Sequence, residues 1–406
     1  MSCMKRGEEL RVCDVVQSWG EKSGGVKRYI KDKMKYVFER EHVSQALIIP
    51  AEEDGERREM RTDVYEVGSL PIPCSKGYRL LLDKDRILEI IRQVCPDIIE
   101  VGNAYRPAWV SIEAGRSENI PVVGFYHSDF PRSIGDKFGD VLKSVGFDEV
   151  VTEAMEGYLA RLYNKMAATV TATRHFEKKL TEMGVENVVR IPLGADTQIF
   201  RPRDSRQKVL GEMGLPEDVF LMLYVGRFAG MKNIPELIAC LDEIGDAGRP
   251  VHLALMGDGE YAGTVREAHE SRDDVTWLPY SPDTDVLAER YSAADLFVNA
   301  GTRETFGLVS VEAQACGTRV LGVKAGGMEE TLEGEQPLIM AESEDPADLA
   351  RAVREIMELN EGREAVAERR ERIVSMFDIQ GNFDMLFRLY EHLSMGGEAR
   401  DFESQA

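Results

Sequence analysis

Short apolar runs alternate with helical stretches along most of this 406-residue chain, and this alternation limits the possible folds more than any other feature. The runs have the length of strands that are buried in a parallel sheet, and segments with helical spacing separate them. Repeated βα units of this kind form parallel sheets covered by helices, so the predicted fold class is α/β. The predicted strands are 10–16, 45–50, 98–101, 122–126 and 169–172 in the first half, and 220–225, 252–256, 276–278, 296–298 and 319–323 in the second.

The length predicts two domains, because a single core rarely serves a chain of this size. Residues 200–219, with Pro202 and Pro216 among polar residues, have the composition of a crossing between domains. We therefore expect two Rossmann-like domains, 1–199 and 200–376, whose parallel sheets face each other across a cleft. Ligands of doubly wound sheets bind at the carboxyl ends of the strands, so the cleft is the expected site. A disordered tail is expected over 395–406.

Charge is distributed unevenly between the two halves. Residues 1–198 contain 29 Lys and Arg against 32 Asp and Glu, whereas residues 199–406 contain 21 against 40. Such an acidic second half argues against nucleic acid as a partner, since a phosphate backbone needs a basic surface. An anionic ligand must instead be bound by local groups.

Cysteine usage and hydropathy indicate the compartment. The six cysteines have no C-x2-C or paired spacing, which predicts a reduced cytoplasmic protein with buried thiols and gives no sign of a metal cluster. The first ten residues are too polar for a signal peptide, and no apolar run approaches the roughly 18 residues of a membrane span. We expect a protein that is soluble or, at most, peripherally attached to the inner face of a membrane.

The segment 295–330 is the most informative about function. Its strand is followed by a loop ending at Glu304, and Thr305-Phe306-Gly307-Leu308 then opens a helix that carries Glu312. A helix start beside a glycine offers free N–H groups to an anion. Glu312 lies about 7–8 Å from Gly307 along the helix, close to the separation of a diphosphate from its ribose. A nucleotide sugar fits this layout, although acidic residues near a helix cap would give the same pattern.

Two cations follow the buried strand 220–225. Arg227 comes directly after it, and Lys232 lies in a loop before a helix that Asn233 could cap with Pro235 in its first turn. At a strand end they could neutralise a diphosphate, Arg as a bidentate fork and Lys as a point charge. The alternative is a pair of solvated loop cations.

Further candidate residues lie in the first half. His127 and Asp129 follow the strand 122–126, and Gly24-Gly25 precede a predicted helix, 26–40. Paired glycines near a helix start suit a phosphate or sugar that approaches the backbone. A histidine at a strand end is otherwise more often structural. Arg132 could bind an anionic acceptor, although surface residues of this kind usually bind nothing.

Several motifs together resemble one enzyme family. They are E-x7-E at 304–312 with F-G-L inside it and A-C-G-T after it, G-G-V-K-R-Y at 24–29, H-S-D at 127–129, P-L-G-A-D at 192–196, V-G-R-x4-K at 225–232 and M-G-D-G-E at 256–260. In this order they resemble the retaining glycosyltransferases of family 4, which have the GT-B fold. The resemblance covers nearly the whole chain.

The resemblance implies roles for these positions. It implies that Glu304 binds the distal hydroxyls of the transferred sugar and that His127 lies near that sugar, with Arg227 and Lys232 as the other catalytic residues. It implies that a helix at about 377–394 completes the first domain. The donor-binding residues would be Gly25, Gly226, Gly257, Leu278, Thr305, Phe306, Gly307, Leu308 and Glu312, and the acceptor-binding residues Gly24, Asp129 and Arg132.

The expected reaction is transfer of a hexose from a nucleoside diphosphate sugar to a hydroxyl acceptor, with retention and without a metal or other cofactor. By resemblance to mannosyltransferase-like members, GDP-mannose is slightly favoured over UDP-glucose. A glycolipid or glycan is the expected acceptor. Helix 26–40 is rich in basic residues and could provide peripheral membrane contact. Its cations are Lys27, Arg28, Lys31, Lys33, Lys35 and Arg40.

Three alternatives remain open at this stage. A nucleotide-sugar epimerase could use the same scaffold and would need no acceptor. A non-catalytic sugar-nucleotide-binding protein would be expected to have lost some of the charged residues. A nicotinamide-dependent oxidoreductase would need G-x-G-x-x-G directly after the first strand, and the segment 19–25 departs from that pattern.

Overall fold

The computed structural model describes residues 9–20, 24–72, 77–127, 129, 148–359 and 361–402. By its contacts the chain divides into two compact units. The first combines Met1–Pro192 with Gln380–Ala406, and the second is Leu193–Ile379. No helix in the described ranges has both the length and the apolar character needed to span a lipid bilayer.

The first unit contains a sheet in the order β10-β9-β8-β7-β1-β2-β4-β3, parallel except for the antiparallel pair β3–β4 at one edge. A small antiparallel pair, β5–β6, lies outside this sheet. The order reverses at β1, since β2 lies on one side of it and β7 on the other, so the carboxyl ends of β1 and β7 form a topological switch point. The strands are β1 (Leu10–Val15), β2 (Val43–Ala51), β3 (Gly55–Glu59), β4 (Thr62–Gly68), β5 (Leu70–Pro71), β6 (Arg79–Leu80), β7 (Ile98–Val101), β8 (Val122–Phe125), β9 (Ala168–Thr171) and β10 (Val188–Arg190).

The second unit contains a five-stranded parallel sheet in the order β13-β12-β11-β14-β15. This is a doubly wound order, and its switch point lies between β11 and β14. The strands are almost continuous apolar runs because helices cover both faces of such a sheet. They are β11 (Phe220–Phe228), β12 (Val251–Gly259), β13 (Val275–Leu278), β14 (Leu296–Asn299) and β15 (Arg319–Gly322).

Helices connect the strands in both units. Among the described helix starts, four are an Asp or Thr whose side chain accepts a hydrogen bond from a backbone N–H of the first turn, namely Asp83, Thr173, Asp283 and Asp345. The helices of the first unit are Gly25–Phe38 (the first helix), Lys84–Val94, Arg106–Glu118, Asp148–Tyr163, Arg174–Glu182 and Ile379–Ser394 (the C-terminal helix). Those of the second unit are Arg206–Met213, Ile234–Ile244, Ala262–Ser271, Thr284–Ala293, Leu308–Ala315, Met328–Leu332, Pro346–Met357 and Arg363–Phe377.

The predicted α/β fold class is confirmed, and each of the ten predicted strands is present. The prediction missed β3, β4, β5, β6 and β10. The edge strand β3 has the sequence G-E-R-R-E and is mostly exposed, so it lacks the apolar run on which the prediction depended. The strands β5, β6 and β10 have only two or three residues each.

Three local expectations need correction. The side chain of Asn233 does not cap the helix that follows it; its Nδ2 donates to the Ala300 carbonyl at 2.8 Å. The expected disorder of 395–406 does not extend over its described part, because a 3-10 turn at Ala399–Asp401 follows the C-terminal helix and Ala399 is buried. Cys95 is disulfide-bonded, which the scattered spacing did not predict. Cys13, Cys240 and Cys316 are free and buried.

The first helix presents less basic surface than its sequence suggested. Lys33 is fully buried and pairs with Asp14 at 2.7 Å and Glu100 at 3.1 Å. Phe38, on the same helix, is 55% exposed. Ion pairs also engage other cations of this segment: Arg28 with Asp32, Lys31 with Glu59, Lys35 with Asp32 and Arg40 with Asp384.

A buried ion network fixes the last helix of the second unit to its sheet. The guanidinium of Arg369 donates to both oxygens of Glu335 at 2.6–3.1 Å and to the Gly317 carbonyl at 2.7 Å. Arg319 and Arg372 also pair with Glu335. Burial would raise the pKa of Glu335, but Arg369 and the other two cations outweigh it and lower that pKa.

We predict that Arg369→Met lowers the free energy of unfolding by about 3 kcal/mol, because removing one partner of a buried ion network leaves the others poorly compensated. Arg363→Met, an exposed position on the same helix, should change it by less than about 0.5 kcal/mol. Denaturant unfolding at pH 7 measures both. Equal effects of the two substitutions would contradict the structural role of the network.

Candidate functional site

Lys232 and Glu304 meet at the switch point of the second sheet. Lys232 ends a 3-10 turn (Gly230–Lys232) that follows β11, and Glu304 lies in the loop between β14 and the helix Leu308–Ala315. The Lys232 Nζ donates to Glu304 Oε1. The side chain of Asn233 supports this arrangement, because its Nδ2 ties the turn to the Ala300 carbonyl just after β14. The two predicted residues therefore form one site at the carboxyl edge of the sheet.

Glu304 is ionised in this environment. Asn299, the last residue of β14, donates from Nδ2 to Glu304 Oε1 at 3.2 Å. Burial would raise the pKa of Glu304, but the charge and hydrogen bond of Lys232 and the hydrogen bond of Asn299 outweigh it and lower that pKa. The carboxylate is therefore an acceptor-only group, suited to sugar hydroxyl donors.

A glycine turn supports the backbone of Glu304. The carbonyl of Glu304 accepts from the Gly327 N–H at 2.9 Å. Gly326 has φ +64°, and a Cβ at this position would lie 2.6 Å from the Glu304 carbonyl oxygen. Only glycine fits this close approach and this left-handed backbone. The turn after β15 thus fixes the loop that carries the carboxylate.

Arg227 lies at the end of β11, with an exposed side chain. Its carbonyl accepts from the Tyr224 hydroxyl at 3.0 Å. Burial raises the pKa of Tyr224, while Glu304 raises it further and Arg227 lowers it, so both charges act on the same phenol. Arg227 and the Lys232–Glu304 pair therefore belong to one edge of the sheet.

The predicted donor-binding glycines of this edge are Gly226 and Gly257, which are register partners on β11 and β12. A Cβ at Gly257 would clash with the Gly226 carbonyl oxygen. Trp277 donates from Nε1 to the Gly257 carbonyl at 3.0 Å, beside Leu278 at the end of β13. Trp277 therefore ties the end of β13 to the glycine pair on β11 and β12.

The helix Leu308–Ala315 begins where the sequence predicted. Gly307 is its N-cap, with φ +91°, and Thr305 is partly buried just before it. Phe306 is 2% exposed, and its ring packs edge-on against Phe377 at 5.5 Å between centroids. Any contact of Phe306 with a donor would therefore come from its backbone.

Glu312 lies on this helix but is only 6% exposed. Its Oε2 accepts a hydrogen bond at 3.1 Å from the hydroxyl of Tyr291, which is itself fully buried. This contact orients the carboxylate inside the unit. Its role toward a ribose stays a prediction.

His127 lies beside the switch point of the first sheet, just after β8. Its ring stacks on Phe125 at 4.1 Å between centroids and packs at a tilt against Tyr29 at 4.8 Å. A Cβ at Gly102, the residue after β7, would lie 3.4 Å from His127 Cδ2. Three neighbouring elements therefore fix the position of the imidazole.

The imidazole of His127 is neutral at working pH. Burial is the main cause, and the positive charge of Lys33 adds to it, while Asp14 partly offsets both; the pKa of His127 falls to about 3. A neutral ring can donate from one nitrogen and accept at the other. It can therefore contact a sugar hydroxyl without adding charge to the site.

The remaining predicted residues of the first unit have the following places. Asp129 accepts from Lys179 at 2.6 Å and from the Tyr126 hydroxyl at 3.2 Å. A carboxylate with a purely structural role would make the same contacts. Gly24 and Gly25 are exposed at the start of the first helix. Arg132 lies outside the described residues.

Asn299 was missed by the sequence reasoning. An asparagine that is 2% exposed at the end of the apolar strand β14 is the signal that could have found it. A buried amide must have hydrogen-bonding partners, and Asn299 also donates to Ser310 Oγ at 3.3 Å and accepts from the Gly301 N–H at 3.1 Å. It links the carboxylate loop to the helix that follows.

Comparison with known families matches both parts of the chain. The model described as Glycosyltransferase Family 4 matches residues 23–199, and the model described as Glycosyl transferases group 1 matches residues 205–372. The chain belongs to glycosyltransferase family 4. The expected family and the hexosyltransferase class are confirmed.

Curated relatives of this glycosyltransferase cover much of its length. A GDP-mannose-dependent alpha-mannosyltransferase of Mycobacterium tuberculosis is 27% identical over 78% of this chain and 80% of its own. A GDP-mannose-dependent alpha-(1-6)-phosphatidylinositol dimannoside mannosyltransferase of the same species is 25% identical over 90% and 92%. A D-inositol 3-phosphate glycosyltransferase of Thermomonospora curvata is 30% identical over 48% and 49%.

Solved structures share the fold of this glycosyltransferase. Sucrose-phosphate synthase from Thermosynechococcus elongatus has a TM-score of 0.78 at 20% identity, covering 96% of this chain and 100% of that one. Anabaena HepE in complex with UDP-glucose has a TM-score of 0.71 at 19% identity, covering 94% and 100%. The expected GT-B fold is confirmed.

The neutral state of the partly buried His127 predicts a loss of stability in acid. The unfolded state takes up a proton on this side chain below about pH 6.5, whereas the folded state does so only near pH 3. Stability is therefore unaffected above pH 7 and falls as the pH drops below 6.5, by about 2 kcal/mol at pH 5. Denaturant unfolding at pH 7.5 and 5.0 measures the difference.

His127→Gln should reduce that pH-dependent difference by about 2 kcal/mol. His42→Gln, at an exposed histidine, should leave it as in the wild type. An unchanged difference in His127→Gln would show that the imidazole takes up protons equally in both states.

Proposed function

We propose that this glycosyltransferase transfers mannose from GDP-mannose to a hydroxyl of a glycolipid or glycan, with retention of configuration and without a metal ion. The observation that carries the proposal is the Lys232–Glu304 pair at the switch point of the second sheet. The pair joins a cation suited to a diphosphate and a carboxylate suited to sugar hydroxyls. We propose that the second unit binds the donor and the first binds the acceptor.

The choice of donor rests on two relatives. Both mycobacterial enzymes named above are described as GDP-mannose-dependent, and they cover most of this chain. HepE bound UDP-glucose, but at under 25% identity it supports only the shared fold. UDP-glucose is therefore the second candidate.

The leaving diphosphate would be stabilised by local charge. Arg227 and Lys232 supply two cations at one sheet edge. The helix Leu308–Ala315 begins four residues after Glu304, and its free N–H groups and positive dipole end would add to this charge. Electrostatic stabilisation of this kind is commonly the largest contribution to catalysis. Because the second half of the chain is acidic, these local groups would supply the positive charge that binds an anionic donor.

Glu304 would bind distal hydroxyls of the mannose and His127 would contact another hydroxyl of it. Lys232 and Asn299 hold Glu304, which suits hydroxyl recognition better than nucleophilic attack. We therefore propose front-face displacement. The bond from the anomeric carbon to the diphosphate breaks, the acceptor oxygen bonds to that carbon on the same face, and its proton passes to the departing phosphate oxygen.

Membrane contact through helix 26–40 is not part of the proposal. Lys33 is buried, and several neighbouring cations pair with carboxylates of the first unit. A polybasic surface binds anionic lipid only through charge that is presented to it. The expected cytoplasmic location stays a prediction.

A thermal-shift panel tests the donor. GDP and GDP-mannose, at 100 times their Kd, should add about 2.7 kcal/mol to stability, and UDP, ADP and their sugars much less. Incubation of GDP-mannose with an acceptor should then release GDP. Equal shifts for every nucleotide would refute the choice of base, and conversion of the sugar without release of GDP would indicate an epimerase.

Arg227→Ala should lower turnover by roughly 10²–10³-fold, because one stabiliser of the leaving group is lost. Lys232→Ala should do the same and should also leave Glu304 without its cation. Steady-state transfer assays measure both. Arg249→Ala is the matched control, since this exposed arginine precedes β12 at the opposite edge of the sheet. Near-wild-type turnover of both site variants would reject the assignment.

A further inference from the structure

The hydroxyl and ring of Tyr29 connect the candidate catalytic His127 to the core of the first unit. The Tyr29 ring contacts His127 at 4.8 Å and Phe125 at 5.0 Å between centroids. Its hydroxyl donates to Glu100 Oε2 at 3.1 Å. Tyr29 is 4% exposed and is the last residue of the G-G-V-K-R-Y motif. The proposed reaction assigns no role to this tyrosine.

Glu100 belongs to a buried charge cluster. Asp14 on β1 and Glu100 on β7 are register partners on adjacent parallel strands, so their carboxylates lie on the same face. Lys33 of the first helix bridges them, at 2.7 Å to Asp14 Oδ1 and 3.1 Å to Glu100 Oε2. Gln45 Nε2 donates to the other oxygen of Asp14 at 2.6 Å.

The ammonium of Lys33 keeps its charge inside the core, whereas burial raises the pKa of Asp14 to about 7 although Lys33 opposes it. Burial would lower the pKa of Lys33, but Asp14 and Glu100 outweigh it and raise that pKa, so the ammonium stays protonated. Burial also raises the pKa of the Tyr29 hydroxyl, which therefore remains a hydrogen-bond donor to Glu100. A charge-assisted hydrogen bond of this kind is stronger than a neutral one.

The C-terminal helix closes the cluster from a third side. Tyr390 donates to Glu100 Oε2, and its hydroxyl oxygen accepts from Lys33 Nζ at 3.0 Å. Phe383 packs against the ring of Tyr29 at 5.6 Å between centroids. The ring that touches His127 is thus fixed at its hydroxyl by Glu100 and along its side by Phe383.

We propose that Tyr29, anchored to Glu100 by the Asp14–Lys33–Glu100 cluster, is a positioning residue that holds the imidazole of His127 in its catalytic orientation. This inference rests on the proposed contact of His127 with the transferred sugar. Tyr29 itself acts through the histidine and touches no substrate.

Tyr29→Phe is the decisive substitution, and Tyr36→Phe is its matched control. Both tyrosines lie on the first helix, pack against Phe383 and donate to a carboxylate, Tyr36 to Asp384 at 2.6 Å. Among the ring contacts of the described residues, Tyr29 contacts His127 and Tyr36 does not. Each substitution removes one hydroxyl and leaves the ring, so both variants should fold.

Tyr29→Phe should lower kcat roughly 10-fold, because a small displacement of a positioned group has a large effect on rate. The KM for the donor should stay within about twofold, since the diphosphate contacts belong to the second unit. Tyr36→Phe should leave both constants within about twofold. Equal losses in the two variants would overturn the proposal.

The double-mutant cycle with His127→Ala separates positioning from general packing. If Tyr29 acts through the histidine, Tyr29→Phe should lower kcat less than about twofold further once His127 is Ala. A full 10-fold loss in that background would overturn the inference. Wild-type turnover of His127→Ala alone would instead reject the proposed role of His127.

NMR spectra recorded without substrate distinguish a failure of the positioning role from a failure of the proposed reaction. The imidazole carbon and proton resonances of His127 in NMR spectra report ring position whatever the reaction is. They should shift in Tyr29→Phe and remain unchanged in Tyr36→Phe. Unchanged His127 resonances in both variants would overturn the positioning role even if the glycosyltransfer reaction is as proposed.

Discussion

The first unit depends on one buried ammonium. Two carboxylates, Asp14 and Glu100, occupy neighbouring positions on the two central strands, and without a cation between them their charges would repel at low dielectric. Lys33 lies within 3.1 Å of both. Truncating such a cation is costly because it leaves the buried carboxylates uncompensated. The position of the first helix on the sheet is therefore set by charge as well as by apolar packing.

The second unit has a strongly acidic sequence, yet its candidate site must bind an anion. The switch point between β11 and β14 brings two cations and one carboxylate to a single edge, and glycine turns bring the backbone close to them. Lys232 pairs with Glu304, and three arginines surround Glu335, so these two carboxylates are compensated by nearby cations although the unit as a whole is acidic.

Much of the fold and part of the site could be predicted from sequence. Long apolar strands such as β11 were predicted well because burial on both faces leaves a continuous apolar run. The polar edge strand β3 left no such signal. Arg227, Lys232 and Glu304 were predicted as site residues because they lie just after predicted strands or in the loops that follow them, and because they match a family pattern. Tyr29 and Asn299 were missed because their importance depends on contacts with residues distant in sequence.

Lys33 shows the main limit of sequence reasoning. Helical spacing alone placed it among surface cations, because the partners that bury it lie 19 and 67 positions away along the chain. A lysine is almost never buried without such partners. Local pattern predicts an element and its apolar face, whereas the pairing of charges requires the tertiary structure.

The Tyr390 contact has a consequence for biosynthesis. The ribosome releases β1, the first helix and β7 long before the C-terminal helix, and the whole second unit emerges in between. Until the C-terminal helix is made, Lys33 and Glu100 lack their hydrogen bonds to the Tyr390 hydroxyl. The domain made first is thus completed last, and a polypeptide truncated before residue 390 would keep an open, hydrated charge at its centre.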